Sequence, residues 1–294
     1  MLANFYQKNI IEKPKLIFAL LLICLISFGY YSKYFRLDAS SETLLMEGDP
    51  DLKYLHEITE RYGARDFLIL TYTPQENMIS SKSLKNLKNL KNKIENLNWV
   101  HSVITLLDIP LLDSSDKPLV ERIQNFTTLA SEGIDKNRGF NEILNSPVFK
   151  NFVISEDGKT SGIIVYIKPD KKLTGLIQTK NDYLERKGKG QLTSREKSAY
   201  KIFLKEYDSY KRLYNKKNHQ NINEIRKIIQ DHPAPGKFKK DSSDIYPIIH
   251  LGGIPMIADD MMTFIKNDIV VFGAGVFLFI ICTLWFVFRS FLWV

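Results

Sequence analysis

Two long uncharged runs dominate the pattern of hydrophobic and polar residues along the chain. One covers residues 269–288 and reads IVVFGAGVFLFIICTLWFVF, and the other covers residues 16–31 and reads LIFALLLICLISFGYY. At about 1.5 Å per residue, the longer run forms a helix of about 30 Å, the thickness of the hydrocarbon core of a bilayer. The pattern therefore predicts two transmembrane helices, over residues 16–36 and 268–289.

The charges that flank the two runs predict their orientation. Lys8, Lys13 and Lys15 precede the first run, and Arg289 follows the second. Because Lys and Arg in short flanks favour the cytoplasm, residues 1–15 are predicted to form a cytoplasmic amino terminus. By the same rule the chain returns to the cytoplasm after the second run.

This topology assigns the remaining segments. Residues 37–267 form a large extracytoplasmic domain, and residues 290–294 begin a third transmembrane helix. Tyr30 and Tyr31 end the first run at the place where a cleaved signal peptide needs small residues. The first run is therefore interpreted as a retained membrane anchor rather than a signal peptide.

The first half of the domain has the pattern of a βαβ unit. The stretch DFLILTYT, residues 66–73, alternates like a strand, and VHSVITLL, residues 100–107, is a second β-rich stretch. Residues 80–97 between them carry apolar side chains at helical spacing: Leu84, Leu87, Leu90, Ile94 and Leu97. Strand, helix and strand with short connections predict an α+β fold.

The rest of the domain is predicted in shorter pieces. An amphipathic helix opens at Asp49-Pro50, a break covers residues 110–118, and a helix in pieces covers residues 119–145. Further segments are predicted in chain order: a hairpin of residues 152–155 and 160–167 turning at Asp157-Gly158, a polar helix at 193–231, a loop at 231–244, a strand at 245–251 and a linker helix at 258–267.

Composition excludes several classes of function. The chain has 294 residues and a formal charge of +8, with acidic residues interspersed, so we expect no concentrated basic patch and no nucleic-acid binding. Its two cysteines, Cys24 and Cys282, both lie inside the apolar runs. The extracytoplasmic domain therefore has no cysteine for a disulfide, a zinc site or a nucleophile.

Each candidate for chemistry has a simpler structural interpretation. Lys187-Gly188-Lys189-Gly190 lacks the further glycine and the preceding strand of a phosphate-binding loop, so a flexible basic turn is favoured. Asp259-Asp260 could form a cation or proton site, but a solvated helix face is favoured because no partner is visible. The aromatic stripe of the polar helix is more typical of packing than of a ligand path. It comprises Ala199, Phe203, Tyr207, Tyr210 and Tyr214.

No enzymatic site is predicted. The five histidines, His56, His101, His219, His232 and His250, are scattered without metal-ligand spacing. No pairing of a nucleophile with a base is visible either. We therefore predict no catalytic, cofactor-binding or metal-binding residue.

The order of these pieces resembles a known family. LDASSETLL and GDPDL follow the first run, DFLILTYTP and VHSVITLLDIPLL frame the βαβ unit, and LGGIPMIADD precedes the second run. Together they are similar to the amino-terminal part of a resistance-nodulation-division (RND) transporter, of the lipid-exporter and Patched-like (MMPL-type) branch. The resemblance covers essentially the whole chain, but only part of such a transporter.

The resemblance implies a duplicated transporter of the inner (plasma) membrane with about six helices in each half. Its porter-type domain would be built of ferredoxin-like βαβ modules with a helical insertion, flanked by the two transmembrane helices. It implies a proton-gradient-driven exporter of hydrophobic or lipidic substrates, with no cofactor. The implied partners are membrane lipids, the substrate and the remaining helices of the same transporter. The proton relay of the family lies on a fourth helix, beyond this chain.

A different class of protein fits the same topology. Two spans around an extracytoplasmic domain are also typical of the sensor domain of a signalling receptor. A sensor would continue after Val294 into a polar linker, whereas an exporter would continue into further apolar spans.

Overall fold

The computed structural model describes residues 14–32, 66–114, 126–232 and 247–289, together with residues 54, 58 and 61. The chain divides into two compact units, residues 1–45 and 46–294. The first unit contains helix α1, Pro14–Ser32, which has no acidic residue in its first turn and no basic residue in its last turn. It is long and apolar enough to cross a membrane, as the first run predicted.

The second unit is an α+β domain that continues into a second apolar helix. Its elements, in chain order, are β1 Phe67–Thr73, α2 Ser81–Glu95, β2 Val100–Ile104, a 3-10 helix Leu106–Asp108, α3 Lys136–Asn145, β3 Ser161–Ile167, α4 Lys171–Gly188, α5 Ser194–Gln230, β4 Ile248–Gly252 and α6 Ile254–Phe288. The described residues thus contain six α-helices and four strands.

The four strands form one antiparallel sheet in the order β2-β3-β1-β4. β3 pairs with β1, with Ile69 opposite Ile164, and with β2, with Val103 opposite Val165. β4 pairs with the other edge of β1, with Leu70 opposite Leu251. Since β1 and β2 both run antiparallel to β3, they are parallel to each other but separated by it. The predicted βαβ unit is therefore split by a third strand.

One face of the sheet carries the core. Leu68, Leu70 and Tyr72 on β1 alternate inward and have no exposed surface. They pack with the buried leucines of α2 and with Ile225 of α5, so these two helices cover the same face. The opposite face is open, because Phe67 and Ile69 are each 40% exposed.

Most predicted elements are present, with several boundaries corrected. The second strand ends at Ile104 rather than at residue 107, because the hydroxyl of Thr105 accepts from the amide of Leu107 and starts the 3-10 helix. Among the described residues 126–145 of the predicted helix in pieces, the helix begins at Lys136, since residues 126–135 form a bridge and turns. Helix α4 was not predicted at all.

The predicted hairpin is half right. Its turn exists, with Gly158 at φ +69° and the amide of Ser155 donating to the carbonyl of Thr160 over 2.9 Å. Its first arm is wrong, because residues 152–155 make only isolated bridges beside Asn151 at φ +64°. β3 pairs instead with β1 and β2.

Other predictions concern residues that lie outside the part of the chain described by the structure. They include the amino terminus at 1–13, the end of the first span at 33–36, most of the amphipathic helix after Asp49-Pro50, the loop beyond residue 232 and the start of a third helix at 290–294.

Candidate functional site at the root of the second apolar helix

The second apolar run, residues 269–288, is the carboxyl-terminal part of a longer helix. The predicted linker helix at 258–267 and the run at 269–288 are one continuous element, α6, of 35 residues. It begins at Ile254, directly after β4, and it is long and apolar enough to cross a membrane. At about 1.5 Å per residue the helix is about 52 Å long, of which the apolar part is about 30 Å. Its first part therefore belongs to the domain.

A glycine fixes the point where α6 leaves the sheet. Gly253 adopts φ +115°, and a Cβ there would lie 2.9 Å from the carbonyl oxygen of Phe67 and 3.1 Å from the Cα of Leu68. Both contacts are with backbone, which has no freedom to move aside. Pro255 follows in the first turn of the helix, where its missing N–H costs nothing. Only glycine suits this position.

Two adjacent aspartates of α6 bind to α5. The carboxylate of Asp259 lies 3.0 Å from Nδ1 of His219, and the guanidinium of Arg226 donates to the carboxylate of Asp260 over 2.6 Å. The side chain of Asp259 is only 8% exposed, whereas that of His219 is 46% exposed. The domain and the root of the apolar helix are therefore joined by a hydrogen bond at His219 and an ion pair at Arg226, two helical turns apart on α5.

The imidazole of His219 is held at both nitrogens. Because a carboxylate only accepts, Nδ1–H donates to Asp259, while Nε2 lies 2.9 Å from Nδ2 of Asn223 and accepts from that amide. Both ring nitrogens are therefore occupied, which fixes the orientation of the imidazole.

Backbone contacts complete the junction. The amide of Asn218 donates to the carbonyl of Pro255 over 3.3 Å, and the hydroxyl of Thr263 donates to the carbonyl of Asp259 over 3.0 Å. Nothing here is a nucleophile poised beside a base. The arrangement can hold the helix and transmit its movement.

The prediction that Asp259-Asp260 is a solvated face without a partner is wrong. Their partners lie 34 to 40 residues away along the chain, so no local pattern indicates them. One signal was available: His219, Asn223 and Arg226 stand at intervals of four and three residues, which places three polar side chains on one helix face. That face lies beside the buried Ile222 and Ile225.

The other candidates of the sequence have ordinary roles. Lys187 to Gly190 form the turn between α4 and α5, with Gly190 at φ +68°, which agrees with the predicted basic turn. The tyrosine stripe packs on α4, where the ring centroids of Phe203 and Tyr183 lie 5.8 Å apart. Ala199 is exposed and does not belong to that face.

His232 is the one described histidine that is buried. Burial and the charge of Lys93 lower the pKa of its imidazole to about 4, against a weaker upward effect of a hydrogen bond to the backbone of Asn86. Its Nε2 has no partner among the residues that the structure describes. It lines a shallow pocket together with five residues of α2 and its carboxyl-terminal cap: Asn86, Asn89, Asn92, Lys93 and Asn96. A neutral ring at the edge of the core accounts for this site.

The other described histidines are not grouped with metal-ligating side chains. His101 and His250 are exposed on separate strands, and His56 lies outside the described residues. Across the described ranges, no three side chains of His, Cys, Asp or Glu lie close enough together to hold a metal ion.

Comparison with known proteins gives no match, neither to a protein-family model nor to a curated protein sequence. The function therefore has to be argued from the fold and from the junction.

Proposed function

We propose that this chain is the amino-terminal part of a proton-gradient-driven exporter of hydrophobic or lipidic substrates, of the RND superfamily and its MMPL-type branch. The observation that carries the proposal is the continuity of α6, which leads from the sheet of an α+β domain into an uncharged run of twenty residues. In such a transporter, movement of membrane helices has to reach the domain that handles substrate. A helix that belongs to both parts is suited to this task.

The order of strands supports the assignment of the domain. The elements β1, α2, β2, β3, α5 and β4 follow the sequence β-α-β-β-α-β, and the sheet order is β2-β3-β1-β4. This order supports the proposal of a ferredoxin-like module, in which parallel strands are split by an antiparallel one. We assign the porter-type domain of the family to this kind of module, with α3 and α4 as additions.

The junction supplies the coupling in this proposal. A shift of α6 along its axis would pull on His219 through Asp259 and on Arg226 through Asp260. Because α5 also packs into the core through Ile225, the shift would reach the sheet. The proton relay and the substrate path would lie on helices that follow residue 294, so we expect this chain alone to carry no proton-coupled flux in vesicles.

The topology can be tested with reporters of membrane sidedness. We expect a tag beside Lys8 to be cytoplasmic and a tag beside Ala130 to be extracytoplasmic, because of the charges that flank the two runs. Ala130 lies in an exposed turn, so an insertion there leaves the sheet intact. Both tags on the same side of the membrane would contradict the proposal.

The coupling can be tested in the full-length gene product. Arg226→Met removes one ion pair to α6, and we expect efflux of a hydrophobic dye to fall several-fold while the amount of folded protein stays unchanged. Lys227→Met is a matched control, because Lys227 is the neighbouring exposed cation of α5 and forms no ion pair with a described residue. Equal efflux in the two variants would show that the ion pair between Arg226 and Asp260 is not needed for coupling.

The sensor of a signalling receptor is the second candidate, and the same continuous helix favours it. A signal could pass from the domain through α6 without any transport. The coding sequence beyond Val294 separates the two functions, because an exporter requires several further apolar spans and a receptor requires a polar signalling module.

A further inference from the structure

The basic excess of the chain is concentrated in one part of the structure. Residues 171–217 contain fourteen Lys and Arg but five Asp and Glu, a net charge of +9, whereas the whole chain carries +8. The expectation that the charge is spread along the chain is therefore wrong. These residues form α4 and the first two thirds of α5, which pair as a helical hairpin, here called the arm.

The inner side of the arm is aromatic and its charges there are paired. The rings of Tyr183 and Tyr200 lie 5.0 Å apart, and the ammonium of Lys180 lies over the ring of Tyr207. Arg186 forms ion pairs with Glu196 and with Asp182. The cations on this side have partners within the arm.

The outer side of α5 carries a row of cations, in which Arg212 donates hydrogen bonds to the carbonyl of Asp208 and the hydroxyl of Ser209. Its members stand at intervals of four and seven residues, which puts them on one face of the helix. They are all exposed, and they are Lys197, Lys201, Lys205, Arg212 and Lys216, here called the basic row. Its four lysines form no ion pair with any residue that the structure describes. The row extends over about 28 Å.

The row is uniform in its chemistry. Between residues 194 and 217, Asp208 is the one acidic residue in the same sector of the helix, and no large apolar side chain lies there. The exposed Ile202 and Leu213 stand about a quarter of a turn to the side. A surface of this kind attracts anions by charge and offers no apolar anchor.

The arm points away from the apolar part of α6. Contacts between the two helices advance in the same direction, from Asn218 with Pro255 to Arg226 with Asp260. The apolar run lies beyond residue 260 in that direction, whereas the arm lies before residue 218 in the opposite one. If α6 crosses a membrane, as in the proposed function, the arm extends away from that bilayer.

We propose that the basic row binds a linear anionic glycan, one that carries carboxylates or phosphates along its length. Successive cations stand about 6 Å apart along the helix axis, with one step of about 10 Å between Lys205 and Arg212, and such a row suits an extended chain of charges. Nucleic acid fits less well, because the aromatic rings are packed inside the arm and cannot stack on bases. A folded acidic protein would need apolar anchors among the cations. The bilayer spanned by α6 lies on the other side.

The test uses the full chain in a neutral detergent and a fluorescent polygalacturonate oligomer of about ten residues, with binding measured by anisotropy. We expect affinity to fall on the order of 100-fold between about 50 and 200 mM salt, because bound cations release counterions. The triple variant Lys197→Gln, Lys201→Gln, Lys205→Gln is expected to bind at least about tenfold more weakly at the lower salt concentration.

A matched variant separates the effect of the basic row from the effect of the net charge of the chain. Lys85, Lys88 and Lys93 are three exposed lysines of α2, and their replacement by Gln removes the same charge. We expect this variant to lose less than about twofold. Equal loss in both variants, no binding by the natural chain, or tighter binding to a single-stranded oligonucleotide of equal charge or to anionic lipid vesicles would overturn the proposal.

The outcome is independent of transport. Binding in detergent requires neither a proton gradient nor further transmembrane helices. A chain that binds the oligomer but has the wrong membrane topology would therefore refute the proposed exporter and leave the proposed glycan binding by the basic row intact. A chain that has the predicted topology but does not bind the oligomer would refute only the proposed glycan binding by the basic row.

Discussion

The sheet with α2 and the arm formed by α4 and the first two thirds of α5 are stabilised in different ways. On β1, Leu68, Leu70 and Tyr72 have no exposed surface, and the leucines of α2 are buried against them. On α4 no residue is buried, and in the arm part of α5 only Tyr207 is. A fully buried large apolar side chain contributes about 1.5 to 3 kcal/mol, and a surface ion pair contributes less than about 1 kcal/mol. Most of the stability therefore resides in the sheet and α2.

The difference also separates two roles. The sheet and α2, here called the body, hold the start of α6 through Gly253, while α5 holds it through His219 and Arg226. The arm is attached at its root, where the hydroxyl of Tyr210 donates to Asp170 over 2.9 Å and Tyr214 bonds to Asp66. An element so weakly tied to the core can open locally without unfolding the sheet. Local opening of this kind is compatible with binding a ligand, whereas transmitting movement to α6 requires an element that stays rigid.

The largest effect is expected for a cavity in the body. Leu87→Ala removes a side chain with no exposed surface in the middle of α2, and we expect it to lower the free energy of unfolding by about 2 to 5 kcal/mol. Ile202→Ala in the arm, where the side chain is 71% exposed, is expected to change it by less than about 0.5 kcal/mol. Urea unfolding followed by far-ultraviolet circular dichroism measures both. Similar losses of unfolding free energy in the two variants would show that the side chain of Ile202 is packed in the core.

The next largest effect is expected where the body meets α6. Gly253→Ala forces a side chain into the left-handed region and against the backbone of Phe67, and we expect a loss of about 1 to 3 kcal/mol. Gly175→Ala is the control in the arm, because it lies inside α4 with open space around its Cα and should stabilise that helix by up to about 1 kcal/mol. Thermal unfolding of the two variants should therefore shift in opposite directions.

The body was predictable from sequence because burial leaves a periodic pattern. Leu84, Leu87, Leu90 and Ile94 are spaced as one helix face, and all four are buried. The alternation of β1 likewise follows its burial. The arm left a weaker pattern: α4 carries Gly175 and no buried residue, so its apolar spacing is too diffuse to indicate a helix.

The junction was unpredictable for a different reason. Its hydrogen bonds join residues far apart in the chain, as Asp259 joins His219, and such pairings depend on how whole helices pack. The order of the strands is similarly non-local, because the strand that separates β1 from β2 comes later in the chain. The Asp157-Gly158 turn shows the limit of local signals, since the turn formed without the first predicted strand.

The body should also be sensitive to acid through His232. Its pKa in the folded chain is about 4, below the ordinary value of 6.5, so between these values the unfolded chain takes up a proton that the folded chain does not. Stability is therefore lost as the pH falls from about 6.5 to 4, by about 2 to 3 kcal/mol. We expect His232→Gln to flatten this part of the curve of unfolding free energy against pH.

The smallest effect is expected at the tip of the arm. Hydrogen bonds from the hydroxyl and amide of Thr193, and then the guanidinium of Arg186, lower the pKa of Glu196 to about 2, so these contacts persist above its ordinary pKa and are lost as the pH falls towards 2. Glu196→Gln removes the charge that Arg186 contacts and weakens the cap of α5. We expect amide exchange near residues 193–200 to become several-fold faster, while the amides of β1 and β3 keep their rates.

Glu206→Gln is the matched control for the arm tip, because its ion pair with Lys172 is long, at 3.9 Å, and it caps no helix. This variant should change exchange little anywhere in the chain. If Glu196→Gln instead accelerated exchange in the strands as much as in α5, the arm and the sheet would open together as one cooperative unit. The separation of the body from a locally opening arm would then be wrong, and the basic row would have to be regarded as part of the same folded unit that holds α6.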